Sequence, residues 1–203
     1  GYLSLYKNTA ADNTAVGAYT LACNTTGTYN TAVGYASQNY TNTGGGNTSL
    51  GRQALYLNND GGAHNVAIGT FAMLDNTSGS CNVAVGTCAL CDNTTGGNNV
   101  AVGWRSLYNN TTAGSNVAMG REALVSNTTG AQNVAVGHTS LYTNITGSCN
   151  VGIGVCALYT ANAADNTAIG THAMRYNTVG TNNVALGVYA LRTNTTGKEN
   201  TAI

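Results

Sequence analysis

A short pattern of polar and apolar residues recurs along almost the whole chain. Its centre is the pentapeptide Asn-(Val/Thr)-small-aliphatic-Gly, which first begins at Asn13 and returns at a spacing of mostly 17 residues. We name each repeat a coil and number its positions 0 to 16 from this asparagine. The later copies begin at Asn30, Asn47, Asn65, Asn82, Asn99, Asn116, Asn133, Asn150, Asn166 and Asn183, with a truncated copy at Asn200. A period this short and regular predicts a repeat architecture.

Each coil contains two short apolar segments separated by turn signals. Position 1 is Val or Thr, position 2 is small and position 3 is a large aliphatic residue, which predicts a strand with positions 1 and 3 on one face and position 2 on the other. Position 4 is Gly in every complete copy, which indicates a backbone corner. Positions 7 and 8 read small-Leu, with Gln38 as an exception, and predict a second inward-facing segment. Asn-Thr-Thr-Gly at positions 11 to 14 predicts a closing turn.

These elements predict an all-β fold, a parallel β-solenoid of about eleven coils that pair at about 4.8 Å. We expect residues 13–203 to form one continuous solenoid within a longer array, and residues 1–12 to be part of a preceding coil. The two irregular spacings, one residue more near Gly61 and one residue fewer within 160–165, fall in loop-like stretches. Stacked identical residues should form ladders of Asn, Thr and Leu.

The repeat resembles the head repeat of YadA-like trimeric autotransporter adhesins and related repeats of phage tail fibres. Residues 65–72 (Asn-Val-Ala-Ile-Gly-Thr-Phe-Ala) and 133–140 (Asn-Val-Ala-Val-Gly-His-Thr-Ser) carry the likeness, which extends from about Asn13 to the end of the chain. The resemblance implies a left-handed β-roll, three chains side by side and a role in attachment. The coil of those adhesins is usually shorter, and the longer loop here holds Asn-Thr-Thr-Gly.

The residue pattern itself also favours self-association, as a homotrimer or a filament. If position 3 and the leucine of position 8 fill the coil, the small residues of position 2 point outward as a stripe of alanines. An exposed apolar stripe of this kind usually marks an interface. The alternative is that the alanines point inward because the coil is narrow.

Composition excludes several classes of partner. The chain has 7 basic and 7 acidic residues, so neither nucleic acid nor an anionic membrane surface is an expected partner. No apolar run is long enough to insert into a bilayer. Hydroxyl and amide side chains keep such a surface hydrated. We expect an extracellular rod on a cell surface, fibril or virion, with a host-surface or glycan receptor as candidate partner.

No arrangement of residues indicates catalysis. His64, His138 and His172 fall at different repeat positions, with no carboxylate at metal-ligand spacing. No nucleophile or phosphate-binding motif is present. We therefore expect a protein that is not an enzyme, with no catalytic residue, metal or cofactor.

Four cysteines are arranged in two equivalent pairs. Cys81 and Cys149 occupy position 16, and Cys88 and Cys156 occupy position 6 of the following coil. If the strand between them is straight, its ends lie about 20 Å apart, whereas a disulfide needs Cα atoms within about 7 Å. A bond within one chain thus requires a sharp fold after the strand, while a bond between chains does not. Buried free thiols are the alternative.

Two further columns are candidate sites. Seven Asn-x-Ser/Thr sequons occupy position 11, where they predict either a ladder of glycans or simply turns: Asn24, Asn76, Asn93, Asn110, Asn127, Asn144 and Asn194. Four tyrosines occupy position 9: Tyr56, Tyr108, Tyr142 and Tyr159. They predict either a surface ladder that binds sugars or a ladder of rings that only stabilises the rod.

The leading functional hypothesis is a structural rod that forms a fibre shaft or an attachment head. A glycosylated fibril of stacked solenoids and an ice-binding solenoid are the alternatives. Ice binding needs a uniform polar row, but position 1 changes from Thr14, Thr31 and Thr48 to a run of valines that begins at Val66. A glycan-degrading enzyme would need clustered carboxylates, and the acidic residues here lie in different coils.

Overall fold

The chain is a β-solenoid with no helix, and a computed structural model describes all 203 residues. Its strands are very short: β1 Thr14–Val16, β2 Thr31–Val33, β3 Tyr40–Thr41, β4 Thr48–Leu50, β5 Leu57–Asn58, β6 Val66–Ile68, β7 Val83–Val85, β8 Val100–Val102, β9 Val117–Met119, β10 Val134–Val136, β11 Val151–Ile153, β12 Thr167–Ile169, β13 Val184–Leu186 and β14 Thr201–Ala202. Twelve of them form one sheet in chain order, and β3 pairs with β5. The predicted fold class is confirmed.

Equivalent positions of neighbouring coils pair with one another, and all the strand pairs are parallel. Ala101 pairs with Ala118, for example, and each flanking residue pairs with its counterpart one coil later. The two coils of irregular length keep this register, because Thr48 pairs with Val66 and Val151 with Thr167. The added and missing residues are therefore absorbed in the loops, as predicted.

The strands turn their small residues inward, which corrects the prediction of an outward alanine stripe. Ala67, Ala84, Ala101 and the other position-2 alanines in the middle of the rod are fully buried. They pack with the alanines of position 7 and with the large residues of position 8, such as Leu90, in one continuous core cluster. The coil interior is narrow, so only a small side chain fits at position 2. The outward column is instead formed by positions 1 and 3.

The invariant glycine of position 4 forms the predicted corner. In the complete coils its φ lies between +127° and +143°, a conformation that L side chains rarely adopt. The coils also stack closely here: a Cβ at Gly103 would lie 2.6 Å from the carbonyl oxygen of Gly120. Both the local conformation and the stacking distance therefore require glycine.

The second apolar segment faces inward, as predicted, but it is a succession of turns and not a strand. Non-glycine residues at positions 6 and 8 have positive φ, for example 55° at Cys88 and 52° at Leu90. This conformation costs an L residue about 1 to 2 kcal/mol. Hydrogen bonds to the adjoining coils offset the cost: the Cys88 amide donates to Thr70 O (3.0 Å) and the Leu90 amide to Ser106 O (2.9 Å).

Two buried asparagine ladders close the coils and join them. At position 0, Asn99 Nδ2 donates to the position-14 carbonyl of Ala113 (2.9 Å) and to Asn82 Oδ1 (3.1 Å). Its Oδ1 accepts the backbone amide of Asn116 (3.0 Å). At position 11, Asn110 Nδ2 donates to the same Ala113 carbonyl (3.0 Å) and to Asn93 Oδ1 (2.9 Å). Most coils are thus closed by two amide side chains that converge on one carbonyl, whereas the coils with Thr41 and Ala161 at position 11 use the position-0 asparagine alone. The predicted asparagine ladder is confirmed.

Candidate functional site

The outward residues of the large sheet form a continuous apolar surface, which we name the aliphatic face. It consists of positions 1 and 3 of the twelve paired strands. No residue in either column is buried, and Val16, Leu50, Met119 and Leu186 are among its most exposed members. Every member is Val, Ile, Leu, Met or Thr, so no charged side chain interrupts it. Large apolar side chains on an exposed, regular sheet are typical of a contact surface.

The position-11 asparagines do not form a row of glycan acceptors. Asn24, Asn76, Asn93, Asn110, Asn127 and Asn144 are all fully buried. Each of these amide nitrogens already donates to the carbonyl of position 14 in its own coil. Asn194 is half-buried and makes the same contact. A glycan on such a nitrogen has no space inside the closed coil, so the burial of these asparagines favours the turn interpretation over the glycan ladder.

All six cysteines are free thiols, with no disulfide within the chain. Cys81 and Cys149 are exposed on the outer surface, while Cys88 and Cys156 are half-buried. Cys156 Sγ lies 3.2 Å from Thr139 Oγ1. Exposure of Cys81 and Cys149 leaves pairing between chains as a prediction.

Cys91 has a different environment from the surface cysteines. Burial raises the pKa of its thiol to about 12, and the carboxylate of Asp92 acts in the same direction. Burial and Asp92, one coil away, also raise the pKa of the Asp75 carboxyl. Cys91 is therefore a core residue without thiolate reactivity at neutral pH.

Thiol labelling should distinguish the exposed cysteines from the buried Cys91. With iodoacetamide at neutral pH, we expect Cys81 and Cys149 to be alkylated at least about 1000-fold faster than Cys91, because only the thiolate reacts. Mass spectrometry of peptides from briefly labelled native protein measures the ratio. In denaturant the thiols should react alike. Rapid native labelling of Cys91 would contradict its placement in the core.

The four position-9 tyrosines do not form one ladder. Only Tyr142 and Tyr159 are in adjacent coils, where their rings stack with centroids 5.0 Å apart and 4° between planes. Tyr56 instead meets Tyr40 edge to face at 5.2 Å. Tyr108 lies beneath the guanidinium of Arg105, which is 4.6 Å from its ring centroid. All four side chains are half-buried.

Arginines continue these aromatic contacts at two places along the rod. The mid-rod cluster contains Trp104, Arg105, Tyr108, Arg121 and Glu122. Here Glu122 lies 3.7 Å from Arg105 and 3.5 Å from Arg121, so the cluster includes a counter-charge.

The second cluster, the C-terminal arginine cluster, contains Tyr159, His172, Arg175, Tyr176, Tyr189 and Arg192. Arg175 and Arg192 occupy position 9, the same column as the tyrosines. The sequence interpretation considered only the aromatic residues of that column. Reading the whole column would have found both arginines.

The remaining candidate groups do not converge. His64, His138 and His172 lie on different parts of the coil surface, and no group of three or more His, Cys, Asp or Glu side chains is arranged to hold a metal ion. The surface contains no pocket. The chain forms no helix with the length and hydrophobicity needed to cross a membrane.

The fold and these surfaces define the chain as a β-solenoid repeat protein whose features are exposed side-chain columns. No protein-family model matches it, and no curated protein or solved structure is significantly similar to it.

Proposed function

We propose that this chain is a non-enzymatic structural rod that associates with further copies of itself through the aliphatic face. The observation that carries this proposal is that the exposed face of the twelve-stranded sheet is uncharged and mainly aliphatic. Burying apolar surface is the main favourable term in most protein association. A rod that keeps its large aliphatic residues outside and its alanines inside is suited to lateral packing.

The size of the aliphatic face supports this function. Twelve strands at about 4.8 Å give a length of about 58 Å, and three residues give a width of about 10 Å, so the face covers about 600 Å². Monomeric proteins seldom expose a larger contiguous apolar patch than this. Flanking side chains would add to the contact, which brings it near the 800 Å² per partner that is typical of stable complexes.

The resemblance to YadA-like head repeats supports three copies around a common axis as the assembly. Three sheets facing such an axis would shield the aliphatic face of each chain. The assembly would act as a fibre shaft or attachment head outside the cell. The low charge of the chain and the exposed threonines of its closing loops suit an exposed rod.

A charge placed in the aliphatic face should weaken the assembly without unfolding the coil. We expect the double variant Val102→Asp/Met119→Asp to shift the association midpoint at least about tenfold in concentration, because an interfacial carboxylate must be desolvated. Sedimentation equilibrium measures the shift, and circular dichroism checks folding. Electron microscopy of the wild type should show several rods side by side.

The matched control is Thr112→Asp/Thr129→Asp, which adds the same two charges at two exposed positions of the closing loop. It should associate like the wild type. A wild-type protein that stays monomeric at every concentration tested would refute the proposal.

The exposure of position 1 gives ice binding as a second candidate. Thr14, Thr31 and Thr48 are exposed on adjacent strands of the sheet. The valines from Val66 to Val151 and the aliphatic column beside them make the face more apolar than a regular hydroxyl row. An ice-recrystallisation assay tests this directly: inhibition that survives Val102→Asp/Met119→Asp but is lost on replacing the three threonines would favour it.

A further inference from the structure

The C-terminal arginine cluster concentrates positive charge without a counter-charge. The guanidinium carbons of Arg175 and Arg192 lie 5.3 and 5.5 Å from the same ring centroid, that of Tyr176. The two ion pairs of the chain involve Arg105 and Arg121 instead, so no carboxylate lies within 4.0 Å of either guanidinium in this cluster. This differs from the mid-rod cluster, where Glu122 pairs with both arginines.

Two side-chain nitrogen atoms in the C-terminal arginine cluster have no hydrogen-bond partner. Arg175 Nε and His172 Nδ1 are both buried atoms with no hydrogen bond. Desolvation lowers the pKa of His172, and the positive charges of Arg175 and Arg192 lower it further. A buried polar nitrogen without a partner is costly, and most such groups in proteins are satisfied. An anionic group beside the two guanidinium groups would balance their charges.

The orientation of the rings restricts what this ligand can be. Tyr159 has Tyr142 on one side at 5.0 Å and Arg175 on the other at 5.5 Å. Tyr189 stacks on His172 at 5.4 Å and contacts Arg192 at 5.1 Å. Groups from the two adjacent coils thus flank the ring of Tyr159, and two guanidinium groups lie over the ring of Tyr176, so these two rings offer mainly their edges. Bases of a single-stranded nucleic acid need free aromatic faces on which to stack, and this cluster offers hydrogen-bonding edges instead.

We propose that the C-terminal arginine cluster binds the carboxylate groups of an acidic polysaccharide. Planar guanidinium groups bind carboxylates through two parallel hydrogen bonds, and the strength of such bonds comes from the charges on both partners. Arg175 and Arg192 occupy the same position of adjacent coils, whose backbones are about 4.8 Å apart, and both contact Tyr176, so the two guanidinium groups lie on one side of the rod. Tyr176 and Tyr189 are exposed and supply hydroxyl groups for the neighbouring sugar hydroxyls.

This site goes beyond the rod function and does not depend on it. Positions 6, 9 and 10 carry the cluster, whereas positions 1 and 3 carry the aliphatic face. A chain that binds the polysaccharide but remains a monomer would support the site and refute lateral association. A chain that associates laterally but does not bind the polysaccharide would support lateral association and refute the site.

The test is a calorimetric titration of the full chain with polygalacturonate at low ionic strength, since salt screens exposed charges. We expect the double variant R175Q/R192Q to lose at least about tenfold in affinity, as removing two charge-assisted contacts implies. The control R105Q/R121Q removes the same two positive charges from the mid-rod cluster and should bind within about twofold of the wild type. Circular dichroism confirms that both variants fold, and R175K/R192K, which keeps the charges, should retain part of the affinity.

Three other results would overturn the proposal. Equal losses in the two glutamine variants would mean that only net charge matters. Equal binding of neutral dextran would mean that the carboxylates are not recognised. Tighter binding of single-stranded poly(dT) than of polygalacturonate would assign the cluster to nucleic acid. Dextran sulfate in the same titration shows whether carboxylate is preferred over sulfate, and a clear preference for sulfate would contradict the ligand named here.

Discussion

Replacing Gly103 by alanine is expected to destabilise the middle of the rod by about 3 to 5 kcal/mol. Two effects add at this position. The φ of 127° strains any residue that has a Cβ. The Cβ would also lie 2.6 Å from Gly120 O and 2.7 Å from its carbonyl carbon, so the next coil would have to move away. Since the backbone of each coil is bonded to both neighbours, this movement breaks interstrand hydrogen bonds such as Gly120 N to Val102 O (2.8 Å).

Alanine variants of two other glycines separate the backbone strain from the close stacking of coils. Gly187 has nearly the same φ, 128°, but a Cβ there would meet no atom within 4 Å. Gly61 is a half-buried loop residue away from both ends of the rod, with a φ of 88°, and its Cβ would approach only Thr43 Oγ1, at 3.4 Å. We expect alanine at either site to cost about 1 to 3 kcal/mol, the strain alone, and less than alanine at Gly103.

Denaturant unfolding measures the three variants, and hydrogen exchange shows where each rod opens. Because each coil contacts only its neighbours, exchange in Gly103→Ala should increase most in the coils around Gly103 and Gly120. Equal costs for Gly103→Ala and Gly61→Ala would mean that close stacking at the position-4 corner contributes little.

The regular spacing made the fold predictable. It did not make predictable which strand residues point into the core and which point outward. Alternation places Val117 and Met119 on the face opposite Ala118, but it does not say which face is the core. The usual preference for large residues inside fails because the coil is too narrow: Leu124 and the two asparagine columns already occupy its interior. Only the width of the closed coil, which depends on all of its turns together, decides the question.

The asparagines show a second limit of sequence reasoning. Asn-Thr-Thr-Gly indicates a turn, and turns are usually exposed, so Asn93 and Asn127 looked accessible. The amide of Asn93 can be buried because both of its ends are satisfied: the nitrogen donates to Asn76 Oδ1 and to Gly96 O, and the oxygen accepts from Asn110 Nδ2. Two of these three contacts come from neighbouring coils. The uniformity of these columns from coil to coil was a usable signal. Exposed columns such as position 5 vary freely, from Trp104 to Val155.

The asparagine ladder gives the second large effect. Replacing Asn99 by aspartate is expected to cost about 3 to 5 kcal/mol at neutral pH, the range for an uncompensated buried charge. The change is nearly isosteric, and one oxygen can still accept the Asn116 amide. The carboxylate cannot donate, however, and it would face the oxygens of Ala113 and Asn82 where the amide nitrogen donates to both.

The loss should depend on pH in a defined direction. Burial beside two acceptor oxygens holds the pKa of the new carboxyl in the folded rod above its unfolded value of about 3.9. Protonation therefore favours the folded state: the penalty is smallest below about pH 4, grows as the pH rises through the folded pKa, and is constant above it. Urea unfolding of variant and wild type at pH 3 and pH 7 measures the difference.

Asn200→Asp is the matched control for this ladder. Asn200 is half-buried and only donates, to Asn183 Oδ1 (3.0 Å), so its replacement should cost less than about 1 kcal/mol at either pH. If Asn99→Asp were equally unstable at pH 3 and pH 7, the loss would come from shape and not from charge. If it were as stable as the wild type at pH 7, the ladder would be solvated and the narrow, closed coil described here would be wrong. A loss of stability confined to neutral pH would instead establish that buried amides, together with the small apolar core, hold neighbouring coils at one fixed distance. That fixed distance aligns the aliphatic face and the position-9 column along the rod.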